Sequence, residues 1–222
     1  MGGGGFLMEP ENPLLDEFVL SLARSERPRV CFVPTASGDA DSVVAGFYRA
    51  FSAFDCQPSD LTLFARKVAD LRAFVLCQDV IYVGGGSTAN LLAVWRVHGL
   101  DAILREAWEA GVVLCGISAG MNCWFEQSVT DSFGALGPLN DGLGLLAGSA
   151  CPHYDGEGER RQAFRRLIEA GELSGGWAAD DGAALVFDGT GVEEVVASRR
   201  GARAYRVERG REEPLPVRFL GD

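Results

Sequence analysis

Residues 113–120 read VLCGISAG, an apolar run that breaks into glycine, isoleucine, serine, alanine and glycine. The apolar half has the composition of a strand buried in a sheet. A serine fenced by small residues at the end of such a strand predicts a sharp strand-to-helix turn, with Gly116, Ala119 and Gly120 small enough for the chain to reverse tightly. That is the arrangement of a nucleophile elbow. The same five residues also suit an ordinary turn followed by a serine helix cap, so the stretch has to be weighed with its surroundings.

Those surroundings alternate. Upstream, RVCFVPTAS (29–37) and DVIYVGGG (79–86) are strands closed by turn residues, and DLTLF (60–64) is a further short strand. Helical periodicity fills the intervals at 41–54, 69–78 and 87–111, the last interrupted near Gly99. Strands alternating with helices imply an α/β fold with a mostly parallel sheet and helices on both faces, in three layers. Residues 129–155 are rich in glycine, proline and aspartate and predict loops and short strands, followed by a helix over 158–173. GAALVF (182–187) and EEVVAS (193–198) are β-like, and 203–220 forms an edge hairpin with charged faces. A helix is expected over 13–23. The four glycines at 2–5 are unusual, because such runs usually follow a strand. They form a flexible tail, or they stand just after a first strand that the given chain lacks.

With 222 residues, 47% apolar and 23% charged, the chain fits one globular domain spanning 1–222. Its net charge of -11 disfavours nucleic acid and anionic membrane surfaces. No apolar run approaches the roughly 18 residues that span a bilayer, and no basic-then-apolar leader opens the sequence, so a cytoplasmic location is expected. Six cysteines without a C-x-x-C pair and only two histidines indicate neither a disulfide framework nor a metal site. No cofactor is implied.

An elbow serine needs a general base and a group that orients it. Of the two histidines, His98 lies within a helical stretch beside Trp95 and Leu100, as a surface or packing residue would. His153, in ACPHYDG, follows a proline in the loops downstream of the elbow and is the better base. The orienting carboxylate is Asp155, Asp180 or Asp181; Asp155 is too close in sequence, and the Asp180–Asp181 pair sits before an apolar strand that can hold a side chain. Asp-Gly is also a common turn. Oxyanion donors are backbone N–H groups, and the run Gly84, Gly85, Gly86 after a strand supplies them together with Ala119. A phosphate cradle is the competing use of those glycines, but the run has neither P-loop lysine nor dinucleotide spacing.

In the order Ser118, His153, Asp181 the sequence resembles the dipeptidase E family, serine peptidases that cleave after an N-terminal aspartate on a class I glutamine amidotransferase-like fold. The likeness rests on YVGGGSTANLL (82–92), CGISAGMNCWF (115–125), CPHYDG (151–156) and ADDGAALVF (179–187). It implies Ser118 as nucleophile, His153 as base and oxyanion donors at Gly85, with Gly86 adjacent, and Ala119. Where the best-known members carry glutamate before glycine, this chain has Asp181 before Gly182. The family's aspartate-recognising arginine falls on Arg160 or Arg161, and VTDSF adds Thr130 as a hydrogen-bond donor and Asp131 for a substrate ammonium. The resemblance implies a short peptide substrate and a homodimer. A non-catalytic protein on the same shell, an esterase, and a hydrolase of a cyanophycin-type polymer remain as alternatives.

Overall fold

The computed structural model describes residues 1–156 and 158–222. Its first sheet is wholly parallel, in the order β2-β1-β3-β4, from strands Arg29–Val33 (β1), Gln57–Asp60 (β2), Val80–Val83 (β3) and Val113–Gly116 (β4). Alternation along these strands builds two cores. Cys31, Val33, Ile81 and Val83 pack to one side with Leu91, Leu92, Trp95, Leu100 and Leu104, from helices Thr88–His98 and Leu100–Glu109. Val30, Phe32, Val80 and Tyr82 pack to the other with Phe6, Leu15, Val19, Phe47 and Phe51, from helices Gly5–Met8, Leu14–Ser21 and Asp41–Phe51. A strand with both faces apolar requires this sandwich, because successive side chains point to opposite faces.

Gly99 takes φ 67, a left-handed conformation that ends one helix and starts the next. The expected strand at 60–64 is shifted: pairing with β1 covers Gln57–Asp60, and Leu61 continues it through its N–H to the Phe32 carbonyl, while Leu61 and Leu63 are buried. Burial of those leucines accounts for the apolar signal that stood one half-strand downstream.

The second half of the chain adds Phe125–Thr130 (β5), Gly137–Leu139 (β6), Leu146–Cys151 (β7), Gly176–Ala179 (β8), Ala183–Asp188 (β9), Gly191–Ala197 (β10), Ala204–Glu208 (β11), Arg211–Pro214 (β12) and Arg218–Phe219 (β13). A six-stranded sheet runs β12-β11-β8-β7-β5-β6, with parallel pairing in its centre and antiparallel pairing at both ends. The expected C-terminal hairpin is β11–β12, and β12 is an edge. The helix Arg160–Ala170 covers this sheet through Ala163, Phe164, Leu167 and Ile168. Strands β9 and β10 form a second hairpin, joined by β13 in a three-stranded sheet. The mostly parallel arrangement expected from the sequence is therefore distributed over separate sheets rather than one.

The N-terminal glycines are not a loose tail. The Met1 ammonium donates to the Gly116 carbonyl at 3.0 Å, Ser118 N–H donates to the Met1 carbonyl, and Gly2 N–H donates to the Ala183 carbonyl. Residues 1–5 are buried between the end of β4 and the start of β9. No helix is long and apolar enough to cross a membrane among the described residues.

Candidate active site

The candidate residues stand on chain segments leaving the C-terminal ends of β3, β4, β5, β7 and β8, the usual location for a site on a parallel α/β sheet. From β4 comes Ser118, at φ 57 and ψ -111. A non-glycine residue held there stores backbone strain of about 1–3 kcal/mol, which the surrounding packing must overcome. That packing depends on glycine. A Cβ at Gly116 would collide with the Gly120 carbonyl, and one at Gly120 with the Val83 carbonyl of β3. The turn can therefore tuck against its neighbouring strand only with glycine at 116 and 120. The four-residue helix Ala119–Asn122 follows directly.

Gly85 faces this serine: a Cβ there would lie 3.4 Å from Ser118 Cβ and 3.9 Å from Oγ. Gly86 has φ 134 and presses on the Ala36 backbone, so any side chain would clash. The amides of Gly85 and Gly86 make no hydrogen bond among the described residues. Ala119 is the first residue of its helix, where a backbone N–H has no carbonyl one turn earlier to bond. Of the three positions expected to supply amides, Gly85 and Ala119 flank the serine directly and Gly86 adjoins them.

His153 follows β7 at φ 53 and is buried. Its Nδ1 lies 2.6 Å from Asp181 Oδ1, between side chains only 10% and 12% exposed. The hydrogen bond from His153 holds the Asp181 carboxyl below its ordinary range against the opposing effect of burial, helped by the charges of Arg199 and Arg160. An ionised carboxylate only accepts, so Nδ1 carries the shared hydrogen and Nε2 is the ring's basic atom. Ser118 Oγ makes no hydrogen bond to the ring among the described residues, as is common in unliganded sites. Both adjoin the N-terminal segment. Met1 bonds the Ser118 amide, and the space a Gly3 side chain would need is filled by Asp181 and His153 Nδ1.

Between the two aspartates the geometry is decisive. Asp180 points away: its Oδ2 accepts from the Arg203 amide at 2.9 Å, and burial pushes its carboxyl up to about 6. Asp155 is not the partner of His153 either; its Oδ1 accepts the Asp181 amide at 2.8 Å and so fixes the backbone of the residue that is.

Arg160 and Arg161 also separate. Arg160 is only 3% exposed, and its guanidinium lies 3.3 Å from Asp131 Oδ2. Arg161 faces the other way, donating to Glu212 with its guanidinium carbon 5.3 Å from the ring centroids of both Tyr154 and Tyr205. Tyr154 O–H donates to the same Glu212 at 2.6 Å. Of the two arginines offered by the sequence, Arg161 thus contacts Glu212, Tyr154 and Tyr205, and Arg160 contacts Asp131. Thr130 Oγ1 is buried 2.7 Å from Ser132 Oγ, which accepts the Ala89 amide at 3.2 Å. His98 is the last residue of its helix. No cluster of three or more His, Cys, Asp or Glu side chains fit to hold a metal occurs among the described residues.

Two contributions escaped the sequence. Asp155 holds Asp181 through a backbone amide, which no spacing rule indicates. The glycines at 2 and 3 thread between elbow and carboxylate, where a side chain would strike the Ala179 and Asp180 carbonyls or Asp181 itself; the signal for that close approach was the glycine run.

This α/β architecture with a serine elbow is that of the peptidase E-like, class I glutamine amidotransferase-like fold. The family model of peptidase family S51 matches residues 1–195, and the chain belongs to that family. It is 55% identical over 225 residues to the uncharacterized peptidase YgaJ of Bacillus subtilis (strain 168), covering 100% of this chain and 97% of that protein. A segment of 88 residues is 36% identical to peptidase E of Shewanella amazonensis, covering 39% of this chain and 37% of that one. The crystal structure of a peptidase from an acI-B1 Actinobacterium superposes with a TM-score of 0.70 at 20% identity, covering 98% of this chain and 92% of the other.

Proposed function

We propose that this protein is a serine peptidase that hydrolyses short peptides, dipeptides with N-terminal aspartate foremost, through an acyl-enzyme on Ser118. The observation that carries this reading is the buried His153–Asp181 pair at 2.6 Å, taken with the strained backbone of Ser118 at the elbow. His153 Nε2 takes the Ser118 proton as Oγ attacks the scissile carbonyl, and Asp181 stabilises the imidazolium that forms. The Gly85 and Ala119 amides, with Gly86 next to them, receive the oxyanion. The imidazolium then gives its proton to the leaving amine, and water repeats the sequence to release the acid.

Arg160 supports the choice of aspartate. A buried guanidinium bonds a carboxylate bidentately, and a protein of net charge -11 gains no long-range attraction for an acidic substrate, so selectivity has to arise locally. The substrate carboxylate would share Arg160 with Asp131, whose half-exposed carboxylate then faces the substrate ammonium, and Thr130 would add a hydrogen bond. The test is turnover of Asp-Leu, Asn-Leu, Glu-Leu and Leu-Leu by the wild type and by Arg160→Ala. Asp-Leu is expected to lead by at least about 100-fold, because Arg160 would add charge-assisted hydrogen bonds to the aspartate carboxylate, each worth roughly 1.5–3 kcal/mol, and Arg160→Ala is expected to abolish that lead. Equal hydrolysis of Asn-Leu and Asp-Leu by the wild type rules the substrate out. A homodimer, the commonest soluble assembly, is the proposed state, and light scattering at micromolar concentration checks it.

A further inference from the structure

Asn122 is the last residue of the helix Ala119–Asn122, and only 3% of it is exposed. Its sequence neighbours Met121 and Cys123 are apolar core residues. A side-chain amide at that depth brings two N–H donors and an acceptor oxygen, each of which needs a partner. Nδ2 donates to Thr88 Oγ1 at 3.3 Å and to the Val129 carbonyl at 3.2 Å. Oδ1 is buried with no hydrogen-bond partner among the described residues. A carbonyl only accepts, so Val129 fixes which way the amide is turned. An orphaned buried oxygen costs stability, and the two N–H bonds have to return something for it.

What they return is the relative placement of three segments. The main-chain N–H of Asn122 donates to the Ser118 carbonyl at 3.0 Å, which attaches this residue to the elbow. Thr88 opens the helix Thr88–His98 just after the glycine run whose Gly85 faces Ser118. Val129 directly precedes Thr130 and Asp131 on the chain, and the Asp131 carboxylate meets Arg160. A second bond, from the Ala89 amide to Ser132 Oγ, joins the last two segments again. The helix Ala119–Asn122 is a single turn, too short to hold itself by its own hydrogen bonds, so its position depends on contacts of this kind.

We infer that Asn122 is a positioning residue of the active site: its amide fixes the distance between the Ser118 nucleophile, the glycine amides that receive the oxyanion and the segment carrying Thr130 and Asp131. It acts through these neighbours. The inference rests on the serine-peptidase reading above for its effect on rate, and on the hydrogen bonds alone for its effect on geometry.

The test measures Asp-Leu turnover, Tm and amide hydrogen exchange in the wild type, Asn122→Leu, Thr88→Val and the double variant. Asn122→Leu is expected to lower kcat about 100-fold while KM rises less than about tenfold, because a shift of about 1 Å in reacting groups costs a factor of that order. Its Tm is expected to stay within about 3 °C of the wild type, since loss of the N–H bonds is offset by removal of the orphaned oxygen. Exchange at Ala89, Cys123 and Ser132 is expected to quicken at least about tenfold. Thr88→Val is expected to lower kcat about tenfold in the wild type and no further in Asn122→Leu, because both changes break the same bond. Unchanged kcat in Asn122→Leu overturns the inference, as do losses that multiply in the double variant. So does a fall in Tm above about 10 °C with faster exchange throughout the chain, which would make Asn122 a residue of the fold. If Asn122→Leu does not fold, wild-type kcat in Thr88→Val overturns it instead. A wild type that neither turns over Asp-Leu nor reacts with a fluorophosphonate counts against the peptidase reading, and unchanged exchange at the three amides overturns the positioning role whatever the turnover.

Discussion

At Asp181 a single hydrogen bond distinguishes two adjacent carboxylates that the sequence leaves almost equivalent. Asp181 bonds His153 Nδ1, whereas Asp180 bonds the Arg203 amide. Asp181→Asn is therefore expected to lower kcat by roughly 10³–10⁴, because an amide no longer enforces the tautomer with a free Nε2 nor stabilises the imidazolium. Asp180→Asn is expected to leave kcat within about tenfold. Ser118→Ala removes the nucleophile and is expected to lose several orders of magnitude in turnover and all fluorophosphonate labelling. Steady-state assays of the three variants check this ranking; a greater loss in Asp180→Asn than in Asp181→Asn overturns the assignment. The choice between Asp180 and Asp181 was not legible beforehand, since it depends on which way each side chain turns at the junction of β8 and β9. The same holds for Arg160 and Arg161. Neighbours on a helix point about 100° apart, and only the positions of Asp131 and Glu212 show which carboxylate each one meets.

The turn from β4 into the helix Ala119–Asn122 was legible because its constraints are local. Small residues at fixed offsets around a serine identify it, and the structure supplies the reason in the carbonyls of Gly120 and Val83 that a Cβ would strike. Gly120→Ala is expected to push the elbow off β3, costing on the order of 2–4 kcal/mol in stability and most of the activity. A melting curve and a kcat measurement test it together, and a variant with unchanged Tm and turnover would show that the close approach is not required. The elements read from alternation and 3.6-residue periodicity, such as β1, β3 and the helices on either face, appear where expected. The N-terminal helix Gly5–Met8 does not follow from periodicity, since four residues are too few to show any. It forms because Phe6 is drawn into the ring cluster of Phe32, Phe47, Phe51 and Tyr82, with centroids 5.3–5.7 Å from its own.

For the whole molecule, the α/β class follows from the order of apolar runs, but the division into separate sheets does not, because it reflects which edges meet in space. The same packing buries two titratable groups whose effects on stability oppose each other. Asp16 is 2% exposed and accepts from Tyr82 O–H at 3.0 Å, and burial raises its carboxyl to about 7 from an ordinary value of 3.8. Between about pH 4 and 7 the folded protein keeps a proton there that the unfolded chain has released, so this group makes stability fall as pH rises through that window. The buried Met1 amine, lowered from 8.0 to about 6, does the reverse: the unfolded chain holds the extra proton between about pH 6 and 8, and stability rises with pH there. Asp16→Asn removes the first effect and not the second, since asparagine still accepts the Tyr82 hydrogen bond without ionising. The difference in Tm between Asp16→Asn and wild type is expected to be near zero at about pH 4.5 and to grow to several degrees in favour of the variant at about pH 8. Taking the difference cancels groups common to both proteins, among them Asp181, whose depressed carboxyl adds stability that is lost as pH falls. A difference that is flat with pH, or that shrinks as pH rises, would mean that Asp16 ionises in the folded protein without penalty.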